Sequence, residues 1–130
     1  MPNTEEAGAT PFASATHLNI LFPHLAKIDG AALAGTVTDR WYNQTPCKVN
    51  GSVVRLGVMP GEYHWNKHDE DDEFFFCLDG EFFVHLETQT FALGPQQGFV
   101  VPKGTTHSTR APQKCVILMV EKSGIVPTGN

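Results

Sequence analysis

The chain lacks the long apolar segments and the clustered basic residues that mark membrane and nucleic-acid-binding proteins. None of its apolar runs approaches the roughly 18 residues that a membrane helix needs. Its first six residues, Met-Pro-Asn-Thr-Glu-Glu, have neither the basic nor the apolar region of a signal peptide. Only 9 Lys and Arg residues are scattered along 130 residues, and the formal net charge is -5. We therefore expect a cytoplasmic protein that binds neither membranes nor nucleic acids.

Paired cysteines and capped helices are also missing. The 3 cysteines are odd in number and show no paired spacing, which argues against a disulfide framework. From Gly35 onward, no segment combines helix caps with an apolar period of 3.6 residues. Short apolar segments instead alternate with turn signals such as Pro60-Gly61 and Asp79-Gly80. A chain of this length with about eight short strands predicts an all-β domain, either a sandwich or a small barrel.

The predicted organisation is a flexible N-terminal tail over residues 1–16 and a single domain over residues 17–130. An apolar segment at 18–28, interrupted by Pro23, suits either a strand or a helical turn. A turn is expected at 43–46. Strands are expected at 35–42, 53–59, 63–68, 74–78, 81–87, 90–93, 99–101 and 115–121.

Two histidine-containing stretches hold most of a metal site. In an extended strand, His64, Asn66 and His68 point to one face. An acidic turn then brings Glu73 to the head of an apolar strand, where its charge is costly to bury without a partner. His107 follows a Pro-x-Gly turn on a separate strand. Two imidazoles and one carboxylate from three places suit iron(II), and also manganese, nickel or zinc, so the sequence predicts a divalent metal ion as cofactor.

The spacing of these residues resembles the two motifs of the cupin superfamily. The first motif is His-x-His, four residues, Glu, six residues and Gly, and Asn66-Lys67-His68, Glu73 and Gly80 occupy these positions. The second motif, Pro-x-Gly-x-x-His, is matched at residues 102–107. The resemblance covers roughly residues 49–121. It implies a cupin-type double-stranded β-helix, which is a jelly-roll barrel, with a short N-terminal arm and a metal held by the motif residues.

Asn66 departs from the first motif, which has a histidine at that position. An amide oxygen is a neutral and weaker ligand than imidazole, so three outcomes stay open. Asn66 is a weak ligand beside an open coordination position, or a bulge lets His64 take its place, or the chain holds no metal. His64 is also a candidate catalytic acid or base in the pocket. His68, Glu73 and His107 still provide two imidazoles and one carboxylate.

Four residues are predicted to line the substrate pocket. Phe75 and Cys77 share the Glu73 face of their strand, and Phe99 adds to the wall according to strand phase. Arg55 stands in an otherwise apolar strand and, in one of two phases, points into the barrel, where it would meet an anionic substrate. An aromatic wall around one metal predicts a small, largely apolar substrate bearing a carbonyl, enol or carboxylate group.

The resemblance implies a metal-dependent enzyme. It is either dioxygenase-like or a redox-neutral isomerase, decarboxylase or cyclase, because the fold does not choose among these reactions. The alternative is a noncatalytic ligand-binding or sensing module with a weakened or absent metal site. Small cupins similar to this chain commonly pair, so we also expect a homodimer that uses the apolar segment at 18–28.

Overall fold

The computed structural model describes residues 15–36, 42–62, 67 and 69–123. Within these residues the chain forms eight strands and one short helix. This helix is too short to span a membrane. The elements are β1 (Ala15–Ile20), α1 (Gly30–Gly35), β2 (Tyr42–Val49), β3 (Ser52–Glu62), β4 (Glu73–Asp79), β5 (Phe82–Leu86), β6 (Thr90–Leu93), β7 (Gln97–Val101) and β8 (His107–Lys122). The all-β prediction is confirmed.

The strands form two walls that share β8. One wall has the order β1-β2-β3-β8-β4-β7, in which the C-terminal part of β8 lies between β3 and β4. The other wall contains β5 and β6, and β5 pairs with the first four residues of β8. A strand that continues from one sheet into the other joins the walls into the jelly-roll barrel expected from the motifs.

The strand β8 must bend to serve both walls. Gly61 pairs with Ala111 and Met59 pairs with Cys115, so four steps along β8 oppose two along β3. Such a bulge bends a strand and increases its twist. Pro112 lies inside the bulge, where the missing N–H group removes no ladder hydrogen bond.

Alternation along the strands places one face of each inside the barrel. In β4, the buried residues Glu73, Phe75 and Cys77 alternate with half-buried Phe74 and Phe76. The inner faces enclose an apolar cluster of Phe75, Cys77, Phe82, Val84, Leu93, Val101, Ala111, Cys115, Ile117 and Met119.

The predicted turn before β3 was wrong. The expected turn at 43–46 lies inside β2, where Asn43, Gln44 and Thr45 are buried, because Asn43 and Gln44 pair with β3 and Thr45 pairs with β1. Pro46 sits at a register shift between β2 and β3, which a strand tolerates. Residues 30–35, just before the expected strand at 35–42, form α1, which Asp29 caps by accepting a hydrogen bond from the Ala32 N–H at 3.0 Å.

Other predicted boundaries differ by smaller amounts or cannot be compared. β1 begins at Ala15, inside the expected tail, and pairs in parallel with β2. The last strand begins at His107, not at Cys115, because β8 continues through its bulge. The expected strands at 35–42 and 63–68 fall mostly outside the described residues, as do residues 1–14.

Candidate metal centre

Glu73 and His107 meet inside the barrel although 34 residues separate them in the chain. Glu73 is the first residue of β4 and His107 is the first residue of β8. Their side chains contact each other, with His107 Nε2 at 3.2 Å from Glu73 Oε1. The two residues are 6% and 2% exposed, so bulk water reaches neither. The structure therefore brings together two of the predicted metal ligands.

The ring of His107 is oriented by the backbone. Its Nδ1 lies 3.0 Å from the carbonyl oxygen of Thr105, which can only accept a hydrogen bond, so Nδ1 carries a proton. In the neutral ring, Nε2 then presents a lone pair to the carboxylate of Glu73. The edge of the Phe75 ring packs against the imidazole with centroids 6.2 Å apart.

Two lone pairs that face each other in the interior need a proton or a cation between them. Burial lowers the pKa of His107. The hydrogen bonds to Glu73 and to the Thr105 carbonyl, together with the Glu73 charge, raise the pKa by more than burial lowers it, so the net shift is upward. A divalent metal fits the same place, because imidazole nitrogen and carboxylate oxygen are its usual protein ligands. The carbonyl that fixes the tautomer is the outer partner expected of a metal-binding histidine.

The remaining predicted ligands lie outside the described residues. His68, Asn66 and His64 all belong to residues 63–66 and 68. Within the part of the chain that the structure describes, no group of three His, Cys, Asp or Glu side chains could hold a metal ion. Glu73 and His107 thus supply two ligands of the proposed site. The roles of His64, Asn66 and His68 stay predictions.

A buried chain of polar side chains extends from Glu73 on β4 across the same wall to Thr45 on β2. Glu121 on β8 lies beside Glu73 in the register of β4 and β8, and its Oε2 accepts a hydrogen bond from Arg55 Nε at 2.7 Å. Arg55 Nη1 in turn donates to Thr45 Oγ1 at 2.7 Å. Burial and the neighbouring Glu73 carboxyl group raise the pKa of Glu121 to about 9, although Arg55 acts in the opposite direction. Glu121 therefore retains a proton that the two neighbouring carboxyl groups can share.

Sequence reasoning missed Glu121, although a signal was present. Its strand has Cys115, Ile117 and Met119 on one face, and Glu121 continues the same alternation. A charged residue in phase with core residues indicates a buried carboxyl group that needs a partner. Arg55 supplies the matching signal on β3.

The structure gives Arg55 a partner within the protein. Arg55 does point inward, since it pairs directly with Met119, whose side chain belongs to the core cluster inside the barrel. Its guanidinium forms an ion pair with Glu121 at 2.7 Å, and both side chains are almost fully buried. The protein carboxyl group therefore occupies the position in which the sequence had suggested a substrate anion.

The three pocket residues on β4 and β7 lie at different distances from the pair. Phe75 packs against His107, and Phe99 stands opposite Phe75 and contacts Phe91 at 4.6 Å between ring centroids. Cys77 lies four residues from Glu73, about 13 Å along the strand. Its thiol is directed at the carbonyl oxygens of Asp79 and Gly80. The structure thus places Cys77 in the core, away from the pair.

Comparison with known proteins agrees with this architecture. A family model described as "Cupin domain" matches residues 54–121, just over half of the chain, and the chain belongs to the cupin family. The chain is 37% identical to the protein YdbB of Bacillus subtilis over 91 residues, which is 69% of this chain and 80% of YdbB.

Solved structures share the fold. A protein from Shewanella frigidimarina that contains a cupin-2 domain superposes with a TM-score of 0.70 at 24% identity, over 73% of this chain and 93% of that chain. KdgF from Halomonas superposes with a TM-score of 0.58 at 19% identity, over 64% of this chain and 80% of that chain. At these identities the likeness shows the fold alone.

Proposed function

We propose that this cupin is a metal-dependent enzyme that acts on a small, largely apolar molecule bearing a carbonyl, enol or carboxylate group. The buried contact between Glu73 Oε1 and His107 Nε2, with the His107 tautomer fixed by Thr105, is the observation that supports it. These two atoms would hold the metal together with His68, and Asn66 or His64 would lie nearby. The ion would polarise a substrate oxygen and stabilise the negative charge that develops there.

The described residues prepare the site for such a substrate. The Thr105 carbonyl keeps the His107 Nε2 lone pair directed at the site, so no proton transfer is needed to choose the tautomer. The Phe75 ring, 3% exposed, excludes water from the edge of the imidazole. Phe82 supports Phe75 from behind, with ring centroids 5.5 Å apart. An apolar wall of this kind favours a compact organic molecule over a sugar nucleotide.

The reaction is proposed at the level of its class. Two imidazoles and one carboxylate leave open coordination positions, which suits oxygen-dependent chemistry as well as redox-neutral isomerisation, decarboxylation or cyclisation. Iron or manganese is the expected metal, and nickel or zinc also fits these ligand types.

Metal analysis of point variants tests the proposal. We expect about one divalent ion per chain in the wild type and a loss of affinity of more than about 100-fold in His107→Ala. His85→Ala is the matched control, because His85 is half-buried on the strand that pairs with His107 and its Nδ1 bonds to Thr90 at 2.8 Å. Equal metal content in both variants and the wild type would contradict the proposal.

A noncatalytic binding module is the second candidate. The 3.2 Å contact between His107 Nε2 and Glu73 Oε1 favours it, because a protonated His107 and an ionised Glu73 satisfy each other without a metal. The motif position taken by Asn66 points the same way. A folded wild-type barrel that stays metal-free in iron, manganese, nickel and zinc and still binds a small molecule would support this candidate over the enzyme.

A further inference from the structure

We propose that Glu121, anchored by Arg55, is a positioning residue that fixes the Glu73 carboxylate for metal binding. The inference rests on the proposed function, because it assigns to Glu121 a role in the metal site that Glu73 and His107 begin. Glu121 itself would not bind the ion.

The register of β4 and β8 places the two carboxyl groups side by side. Phe74 pairs with Val120, so Glu73 stands beside Glu121 on the inner face. Directly opposed residues of an antiparallel pair have Cβ atoms about 4.5–5.5 Å apart, which is within reach of a hydrogen bond between their side chains. The contact is therefore built into the pairing of the strands.

Glu121 is itself held from the far side. Arg55 Nε donates to Glu121 Oε2 at 2.7 Å, and Thr45 Oγ1 fixes the guanidinium at 2.7 Å. Thr45, Arg55 and Glu121 come from β2, β3 and β8, so three strands determine where the Glu121 carboxyl group lies.

Fold stability alone does not explain this arrangement. A buried ion pair is often no more stabilising than apolar residues of the same volume. Glu121 Oε1 is buried and makes no hydrogen bond, which is a further cost. The arrangement is explained if the carboxyl group is present for its neighbour Glu73, beside which the register of β4 and β8 places it. Residues that hold a metal ligand from behind typically contribute about 10–100-fold to metal affinity.

Calorimetric titration of Mn²⁺ into metal-free protein tests the role. We expect Glu121→Ala to weaken Mn²⁺ binding about 10–100-fold. Glu121→Gln should lose less than tenfold, because its carbonyl oxygen accepts from Arg55 and its amide N–H donates to Glu73. Ile117→Ala is the control: it opens a cavity on the same face of β8 but lies one full pleat repeat further from Glu73 than Met119 does. It should keep wild-type affinity.

If Glu121→Ala does not fold, the Arg55→Lys variant and the absorption spectrum of bound Co²⁺ still test the positioning role. Arg55→Lys keeps the positive charge but loses the planar guanidinium that reaches both Glu121 and Thr45, so it too should weaken Mn²⁺ binding. The visible absorption of Co²⁺ bound in its place should change in the Glu121 and Arg55 variants, because Glu73 then binds in another geometry, and stay unchanged in Ile117→Ala.

The outcomes separate the two proposals. If the wild type binds no divalent metal, the proposed enzyme function is overturned and the positioning role with it. If the wild type binds Mn²⁺ and the Glu121→Ala and Arg55→Lys variants bind it equally well with an unchanged Co²⁺ spectrum, only the positioning role is overturned. The same holds if Ile117→Ala weakens binding as much as Glu121→Ala does.

Discussion

Glu73 carries a carboxyl group in a place that bulk water does not reach. Its side chain is 7% exposed, and its neighbours are the imidazole of His107 and the carboxyl group of Glu121. Burying an ionised carboxylate is costly unless it is paired and hydrogen-bonded. The neighbours of Glu73 therefore decide whether its charge is balanced by a proton, by Arg55 through Glu121, or by a metal.

Removal of Arg55 alone should destabilise the fold strongly. Arg55→Met removes the guanidinium that pairs with Glu121 in the interior. Removing one partner of a buried pair typically costs about 3–5 kcal/mol of stability. Urea unfolding measures the change in the free energy of unfolding. Replacing both partners, as in Arg55→Met with Glu121→Leu, should restore most of the loss.

An exposed pair serves as the control for that prediction. Lys122 lies 4.0 Å from Asp71 with its side chain 62% exposed, so Lys122→Met should change the free energy of unfolding by less than about 1 kcal/mol. If the Arg55→Met variant is as stable as Lys122→Met, the buried ion pair between Arg55 and Glu121 is contradicted.

The stability of the fold should depend on pH through Glu121. Burial and the neighbouring Glu73 raise the pKa of Glu121 to about 9 in the folded state, above its ordinary value of 4.5. Between these pH values the folded state binds the extra proton, so this contribution is complete below about pH 4.5 and is lost as the pH rises toward about 9. The free energy of unfolding of metal-free wild type, minus that of Glu121→Gln, should therefore fall from pH 5 to pH 9. A difference that does not vary with pH would contradict the assignment.

The residues of the site were predictable where a motif or a phase argument applied. Glu73 and His107 follow from motif spacing, and the structure brings them together. Arg55 was expected inside the barrel in one of two strand phases, and that phase is observed. Its partner Glu121 was not predicted, because pairing across 66 residues depends on which strands are neighbours, and local alternation does not contain that information.

At the scale of elements, the bend in β8 brings both ends of one strand to the same carboxyl group. His107 and Glu121 lie 14 residues apart, which is about 46 Å along a straight strand at about 3.3 Å per residue. His107 nevertheless contacts Glu73, and Glu121 lies beside it. The bulge at residues 111–115 makes this geometry possible, because it redirects β8 from one wall to the other.

The turn between β4 and β5 should tolerate no side chain at Gly80. Gly80 has φ +88, and a Cβ there would lie 2.9 Å from both Cys115 Cβ and the Lys114 carbonyl oxygen. Gly80→Ala should cost about 3 kcal/mol or more, from the left-handed backbone and the clash together. Gly104→Ala is the matched control, since Gly104 has φ +80 with nothing within 4 Å, and backbone strain alone should cost about 1–2 kcal/mol. Equal losses in thermal or urea unfolding would refute the contribution of the clash.

Strand positions were predictable where the apolar alternation is regular. The predicted strand at 90–93 coincides with β6, and the one at 74–78 lies within β4. The polar run that begins at Asn43 was misread as a turn because its side chains are buried by tertiary pairing with β3. Propensity cannot reveal such pairing. The first half of β8 was missed because Pro112 and its neighbours interrupt the apolar pattern.

At the scale of the whole molecule, the N-terminal arm leaves apolar surface uncovered. β1 is an edge strand that pairs only with β2 in the described sheet. Along the arm, Leu18 is 55% exposed, Ile20 is 46% exposed, and Leu25 is fully exposed. Exposed apolar groups beside an open strand edge mark a surface for association. The expected homodimer, which stays a prediction, would cover this arm with a second copy.

Sedimentation of a surface variant checks the homodimer. The wild type should sediment as a dimer at micromolar concentration, and Leu18→Glu should shift it toward monomer, because a charge in an apolar interface is costly. Val100→Glu is the control, since Val100 is 50% exposed on β7 at the opposite edge of the sheet. A monomeric wild type, or a dimer that Val100→Glu dissociates while Leu18→Glu does not, would contradict the arm as the interface.

The fold as a whole was the most predictable feature. Two motifs in the correct order indicated a cupin barrel, and the strand order, the matched family model and the superposed structures agree with it. The reaction was not predictable in the same way, because the barrel supports many chemistries and its pocket residues come from separate strands.

A crystal structure of the protein soaked in Mn²⁺, with anomalous diffraction measured to locate the metal, tests the central claim most directly. The account predicts one anomalous peak inside the barrel, bonded at about 2.2 Å to a Glu73 carboxylate oxygen and to His107 Nε2. It is contradicted if Glu73 and His107 remain in direct contact with no metal between them while Mn²⁺ is absent from the interior or bound elsewhere.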